Sequence, residues 1–192
     1  MTVVELTAHS GNAGPVPDRV RVTVDWKPTT RTLVLQYLLL GGVERIRLPA
    51  PAPAGRVDGL WRQSCCEAFI ARSRAGNYCE FNFSPSGAWA AYRFVATRQG
   101  MRPLEGVEPP AIRLARGPDE VLVEVRFDPG PVACPPGLDI ALGLAAVIED
   151  REGRHSFWAL RHGSSQPDFH DPSSFLLPLD AAAMRPAQEP AP

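Results

Sequence analysis

Between Asn77 and Ser84 the chain reads Asn-Tyr-Cys-Glu-Phe-Asn-Phe-Ser. In an extended strand, Cys79, Phe81 and Phe83 would share one face, and Tyr78, Glu80, Asn82 and Ser84 the other. Same-face side chains recur about every 7 Å along a strand. A carboxylate, an amide and a hydroxyl in one row supply the acceptors and donors that a sugar or other polyol needs. A plain solvent-facing edge has the same alternation, and the pattern admits both readings. In the preceding apolar run, Glu67 stands between Cys65 and Phe69. A carboxylate among apolar side chains needs a partner. Arg62, Arg93 and Arg98 are the candidate cations, so Glu67 is expected to be at least partly buried and paired with an arginine. Such a pair can be structural, or Glu67 can accept hydrogen bonds from a ligand.

Three tryptophans extend this set. Trp61 follows Asp58-Gly59-Leu60 in an expected loop, Trp89 follows the turn Ser84-Pro-Ser-Gly87, and Trp158 lies near the end. Packing explains a tryptophan in general. A flat ring beside polar groups can also stack on the CH face of a pyranose. The candidate ligand-binding residues are therefore Trp61, Arg62, Glu67, Glu80, Asn82, Ser84, Trp89, Arg93 and Trp158.

A second cluster is His162, Asp168, His170 and Asp171, on one segment ending at Asp171. Two histidines and two aspartates could ligate a metal and serve a metal-dependent enzyme. A polar turn bent at Pro167 and capped by Asp168 is the plainer reading. Nucleophilic and phosphate-binding signatures are missing: there is no G-x-S-x-G elbow, no Walker A loop and no G-x-G-x-x-G. Glu67 and Glu80 could imitate the carboxylate pair of a glycosidase, but any two glutamates on paired strands would do so. Binding rather than catalysis is the expectation, with no cofactor. Cys65, Cys66, Cys79 and Cys134 lack a CxxC pair or metal-ligand spacing, and read as small buried residues rather than reactive thiols.

These residues need strands to hold them. The chain has 192 residues, enough for one domain with its own core, and 21 Pro with 16 Gly imply many turns. Val20 to Trp26 alternates with period two. Thr32 to Leu40 is apolar on both faces, which predicts a strand covered on both sides. Ser64–Ala71 and Asn77–Phe83 form a hairpin, with Ala88–Val95 running back. Ile112–Ala115 with Val121–Phe127, and Ile140–Glu149 with His155–Arg161, form two more. Phe175–Leu179 is a last strand. Phe81, Phe83, Val121, Val123 and Val125 are the expected core. About ten short strands with at most short helices predict an all-β, antiparallel sandwich of jelly-roll type over residues 1–180. An Ala/Pro-rich tail over 181–192 is expected to be flexible.

A net charge of −1 argues against a nucleic-acid binder. No apolar stretch reaches the ~20 residues of a membrane helix. Met1 to Ser10 lacks the basic and apolar regions of a signal peptide, so a cytoplasmic protein is expected.

Asp58-Gly-Leu-Trp-Arg-Gln-Ser-Cys-Cys-Glu-Ala-Phe-Ile70, Tyr78-Cys-Glu-Phe-Asn-Phe-Ser-Pro-Ser-Gly-Ala-Trp-Ala-Ala-Tyr92 and Pro167-Asp-Phe-His170 together resemble the DOMON-like proteins of bacteria. That group is similar to family 9 carbohydrate-binding modules and to haem-binding DOMON cytochromes. The resemblance covers most of the chain up to Leu179. It implies an immunoglobulin-like β-sandwich that binds a small-molecule ligand, a sugar or haem, without catalysis. In the sugar modules two Trp rings hold a terminal sugar, a role that Trp61 with Trp158 or Trp89 would match, and Glu67 looks like the Glu of their acidic strand motif. In the haem relatives a Met and a His or Lys are axial ligands, which would be Met101 and His162 here. No CxxCH motif is present, so the haem would be a non-covalent haem b.

Overall fold

Alternation of apolar and polar residues builds strands along nearly the whole chain. The computed structural model describes residues 1–72, 76–134 and 140–179. Its strands are β1 (Thr2–Ala8), β2 (Arg19–Lys27), β3 (Thr32–Leu40), β4 (Cys65–Arg72), β5 (Tyr78–Phe83), β6 (Trp89–Phe94), β7 (Arg102–Pro103), β8 (Ala111–Arg116), β9 (Glu120–Phe127), β10 (Ile140–Glu149), β11 (His155–Ala159) and β12 (Leu177–Leu179). Among the described residues the α-helical segment is Gly130–Ala133, a single turn. The expected tail at 181–192, the domain limit at 180 and most of the hairpin link at 72–76 lie outside the described residues.

The strands run in the order β7-β6-β5-β4-β10-β11-β1-β2-β3-β9-β8, with β12 also on β10. All of the pairings between these strands are antiparallel. β1 serves both halves: Thr2 to Leu6 pair with β2, and Thr7 and Ala8 pair with β11. The ladder folds over at this strand into a sandwich. The expectation missed β1, although Val4, Leu6 and Ala8 alternate with Glu5 and Thr7.

The core lies between the halves. β2 contributes Val20, Val22 and Val24, β9 contributes Val121, Val123 and Val125, and β5 contributes Phe81 and Phe83, all buried as expected. Phe81 and Phe83 pack against Phe127 with ring centroids 5.0 Å away in each case. Tyr37 fits a phenol into this core because its hydroxyl donates to the Glu67 carbonyl at 2.7 Å, which satisfies a group that would be costly to bury alone.

β3 corrects one expectation. Leu33, Leu35, Tyr37 and Leu39 are buried, whereas Val34, Leu38 and Leu40 are only half-buried. Their face is shared with Arg21, Glu124 and Arg126 of the neighbouring strands and carries no second layer among the described residues. The extra cover goes to the other half. There β4, β5, β6 and β10 present an outer cluster of Phe69, Tyr78, Tyr92 and Phe94, packed under Leu60, Phe169 and Phe175 from loops. Gly143 of β10 admits this cover: a Cβ there would strike the Phe175 ring and lie 3.3 Å from the Phe69 Cβ.

Candidate functional site

The register of β4 and β5 sets the floor of the site. Glu67 pairs with Asn82, and Phe69 pairs with Glu80. Glu67, Glu80 and Asn82 therefore share the outer face, turned away from the core. Glu67 and Glu80 are diagonal neighbours, a relation that puts them about 7–8 Å apart. Both carboxyls open into a cleft of about 310 Å³, within the small-molecule size range. The walls are aromatic, from Trp61, Phe94, Phe157 and Phe169, with Met101 at the rim. Trp61 is 38% exposed and meets Tyr92 edge-on at 6.1 Å. Tyr92 in turn donates to Asp58 at 2.6 Å, anchoring the loop that carries Trp61.

The polar groups are ordered by a chain of hydrogen bonds. Arg98 has φ = 56°, a left-handed conformation, and its backbone N–H donates to the Tyr78 hydroxyl at 3.1 Å. The hydroxyl therefore has its own proton free for His170 Nδ1, 2.6 Å away. That leaves the His170 proton on Nε2, which faces Glu80 Oε2 at 3.8 Å. This gap is too long for a hydrogen bond, and a ligand hydroxyl placed beside the pair could contact both. Burial and the nearby Arg98 charge push the His170 pKa down to about 4, so the ring is neutral at neutral pH. Arg98 itself is gripped by Asp168, with Nη2 and Nε at 2.7 and 3.2 Å from Oδ1. Asp168 also accepts from the His170 backbone N–H at 3.0 Å.

Glu80 Oε1 accepts from Asn82 Nδ2 at 2.6 Å. Glu67 Oε1 is buried and has no hydrogen-bond partner among the described residues. Burial, and for Glu67 the neighbouring Glu80 charge, push both carboxyls above their usual range, while Arg98 pulls them back.

The candidate residues divide accordingly. Trp61, Glu67, Glu80, Met101 and His170 line the cleft. Asn82 is fully buried and orients Glu80 from below rather than facing the opening. Ser84 is tied up in its turn, accepting from the Ser86 N–H and hydroxyl at 3.2 and 2.8 Å. The two-tryptophan clamp is corrected. Trp89 pairs with Phe83 and Trp158 with Ala146, residues that face the core, so both rings are buried between the sheets. The arginine partner of Glu67 is also corrected: no described arginine forms an ion pair with it. Arg98 acts on it only through its charge, Arg93 pairs with Cys79 on the other parity and Arg62 is exposed.

His162 lies apart from the cleft. Its Nε2 is 2.9 Å from the Thr7 carbonyl, and it meets His9 edge-on at 4.8 Å. Met101 and His162 are thus not brought to opposite sides of one cavity. Asp168 and His170 are spent on Arg98 and Tyr78, and no group of three His, Cys, Asp or Glu among the described residues is placed to hold a metal. Burial raises all four thiols, Cys79 to about 11 and Cys134 to about 12. Sequence reasoning missed Phe157 and Phe169. Phe157 was detectable because it adjoins Trp158 on a strand, where one of two neighbours must face outward.

No protein-family model matches the chain, and no curated protein matches it. Among solved structures, a candidate carbohydrate-binding protein from Bacteroides uniformis ATCC 8492 is similar, with a TM-score of 0.70 at 17% identity over 94% of this chain and 87% of that one. A family 9 carbohydrate-binding module from Caldicellulosiruptor kristjanssonii, solved with cellotriose, gives 0.52 at 12% identity over 97% and 89%. At these identities the likeness is one of fold, and the chain has a β-sandwich of this module type.

Proposed function

We propose that the protein is a non-catalytic sugar-binding module, DOMON-like in kind, whose ligand enters the cleft over β4 and β5. The observation that carries this reading is the buried Glu67 carboxyl, without a hydrogen-bond or ion-pair partner among the described residues, lining a cleft walled by Trp61, Phe94, Phe157 and Phe169. An orphaned buried acceptor is costly, and a ligand hydroxyl would satisfy it. Aromatic rings would take up the apolar CH face of the same ligand. Glu80 and His170 would share a second hydroxyl placed beside the pair. The fold shared with a module solved with cellotriose supports the same class of ligand.

Titration with cellotriose and a panel of monosaccharides, followed by isothermal calorimetry, tests the reading. A saturable change that disappears in Trp61→Ala is expected. Saturable binding retained at full strength in Trp61→Ala, or no response to any sugar, overturns it.

A further inference from the structure

We infer that the cleft prefers a ligand carrying a positively charged amine, an amino sugar rather than a neutral one. This rests on the sugar-binding reading and deepens it. Two glutamates open into one small cavity, at 3% and 4% exposure. Neither forms an ion pair with lysine or arginine among the described residues; Glu80 has the uncharged Asn82 amide at 2.6 Å and neutral His170 at 3.8 Å. Among the described residues the one lysine or arginine lining the cleft, Arg98, is already neutralised by Asp168 at 2.7 Å. Counted with that pair, the lining has a surplus of acid.

A neutral hydroxyl satisfies a hydrogen bond but leaves this surplus. An ammonium group has three donors and a charge. Seated between diagonal neighbours, it could reach the carboxyls of Glu67 and Glu80 together. The rings of Trp61, Phe94, Phe157 and Phe169 line the same space, and aromatic faces attract cations most strongly where water is excluded. Burial favours the protonated form of both carboxyls. An arriving ammonium would favour their ionised forms, so binding should release protons to the buffer.

The test compares glucosamine, glucose and N-acetylglucosamine by isothermal calorimetry at about pH 6.5, below the usual range of an α-amino group. Two buffers of different ionisation enthalpy read the proton release. Glucosamine should bind at least tenfold tighter than both neutral sugars, with a heat that depends on the buffer. In Glu67→Gln the ratio of glucosamine to glucose affinity should fall toward one. Equal or weaker binding of glucosamine, with glucose still bound, overturns the amine preference and leaves the sugar-binding reading standing. Absence of binding by all three overturns the amine preference, and absence of binding by cellotriose as well overturns both.

Discussion

Glu67 and His170 carry the electrostatic consequences of burial, and each makes a separate expectation. The His170 imidazole should titrate at about 4 by NMR, whereas titration near 6.5 would mean an open ring. A histidine lowered in the folded state contributes stability that is present above its unfolded pKa and is lost as pH falls toward the folded one. Glu67 has the opposite sign. Its folded pKa is raised, so its penalty is absent below about pH 4 and grows as pH rises through the usual carboxylate range. Glu67→Gln should therefore gain thermal stability over the wild type at neutral pH, with the gain vanishing near pH 4. Equal melting temperatures at both pH values would mean that Glu67 is solvated. Both glutamates were visible in the sequence as site candidates, because a carboxylate between Cys65 and Phe69 has no ordinary reason to be there. Their partners were not visible. Asn82 and Glu80 share one face of β5, two residues apart, but spacing does not dictate the rotamers that turn the amide toward the carboxylate rather than the opening.

At the scale of elements, period two made nearly every strand legible, and the residue parity then decided which side chains meet. Trp89 and Trp158 fell on the core side through pairing with Phe83 and Ala146, a register that no single strand reveals. The loop layer over β4 and β10 was also hidden, since Phe169 lies in a segment without periodicity and Phe175, expected to open the last strand, instead precedes β12. Two substitutions separate core from cover. Phe83→Ala should cost roughly 3–5 kcal/mol in denaturant unfolding; a loss below about 1 kcal/mol would mean that Phe83 is exposed and the register of β5 slipped by one. Gly143→Ala should force the Phe175 ring off Phe69, an overpacking cost of about 1–3 kcal/mol. Because Phe169 belongs to the same cover, this variant should also weaken sugar binding, while Phe83→Ala should alter stability first.

For the whole molecule, the sandwich was legible from strand count and turns, but the crossing of β1 from one half to the other was not. Among the described residues one outer face is uncovered, with half-buried Leu38 among charges, and the other is roofed by loops. The roofed face holds the aromatic cleft, and the polar strand motif lies beneath it. The proposed binding face and the core face are thus opposite faces of the same strands. Trp61→Ala should leave the melting temperature within a few degrees, because the ring is 38% exposed, while removing a cleft wall. Mapping backbone amide shifts by NMR during titration with a binding sugar locates the ligand without any substitution. Perturbations should concentrate at Trp61, Glu67, Glu80, Arg98 and His170, with β2, β3 and β9 unmoved. Perturbations concentrated on the outer face of β3 and β9, with Glu67 and His170 unchanged, would place the ligand elsewhere and refute the cleft as its site.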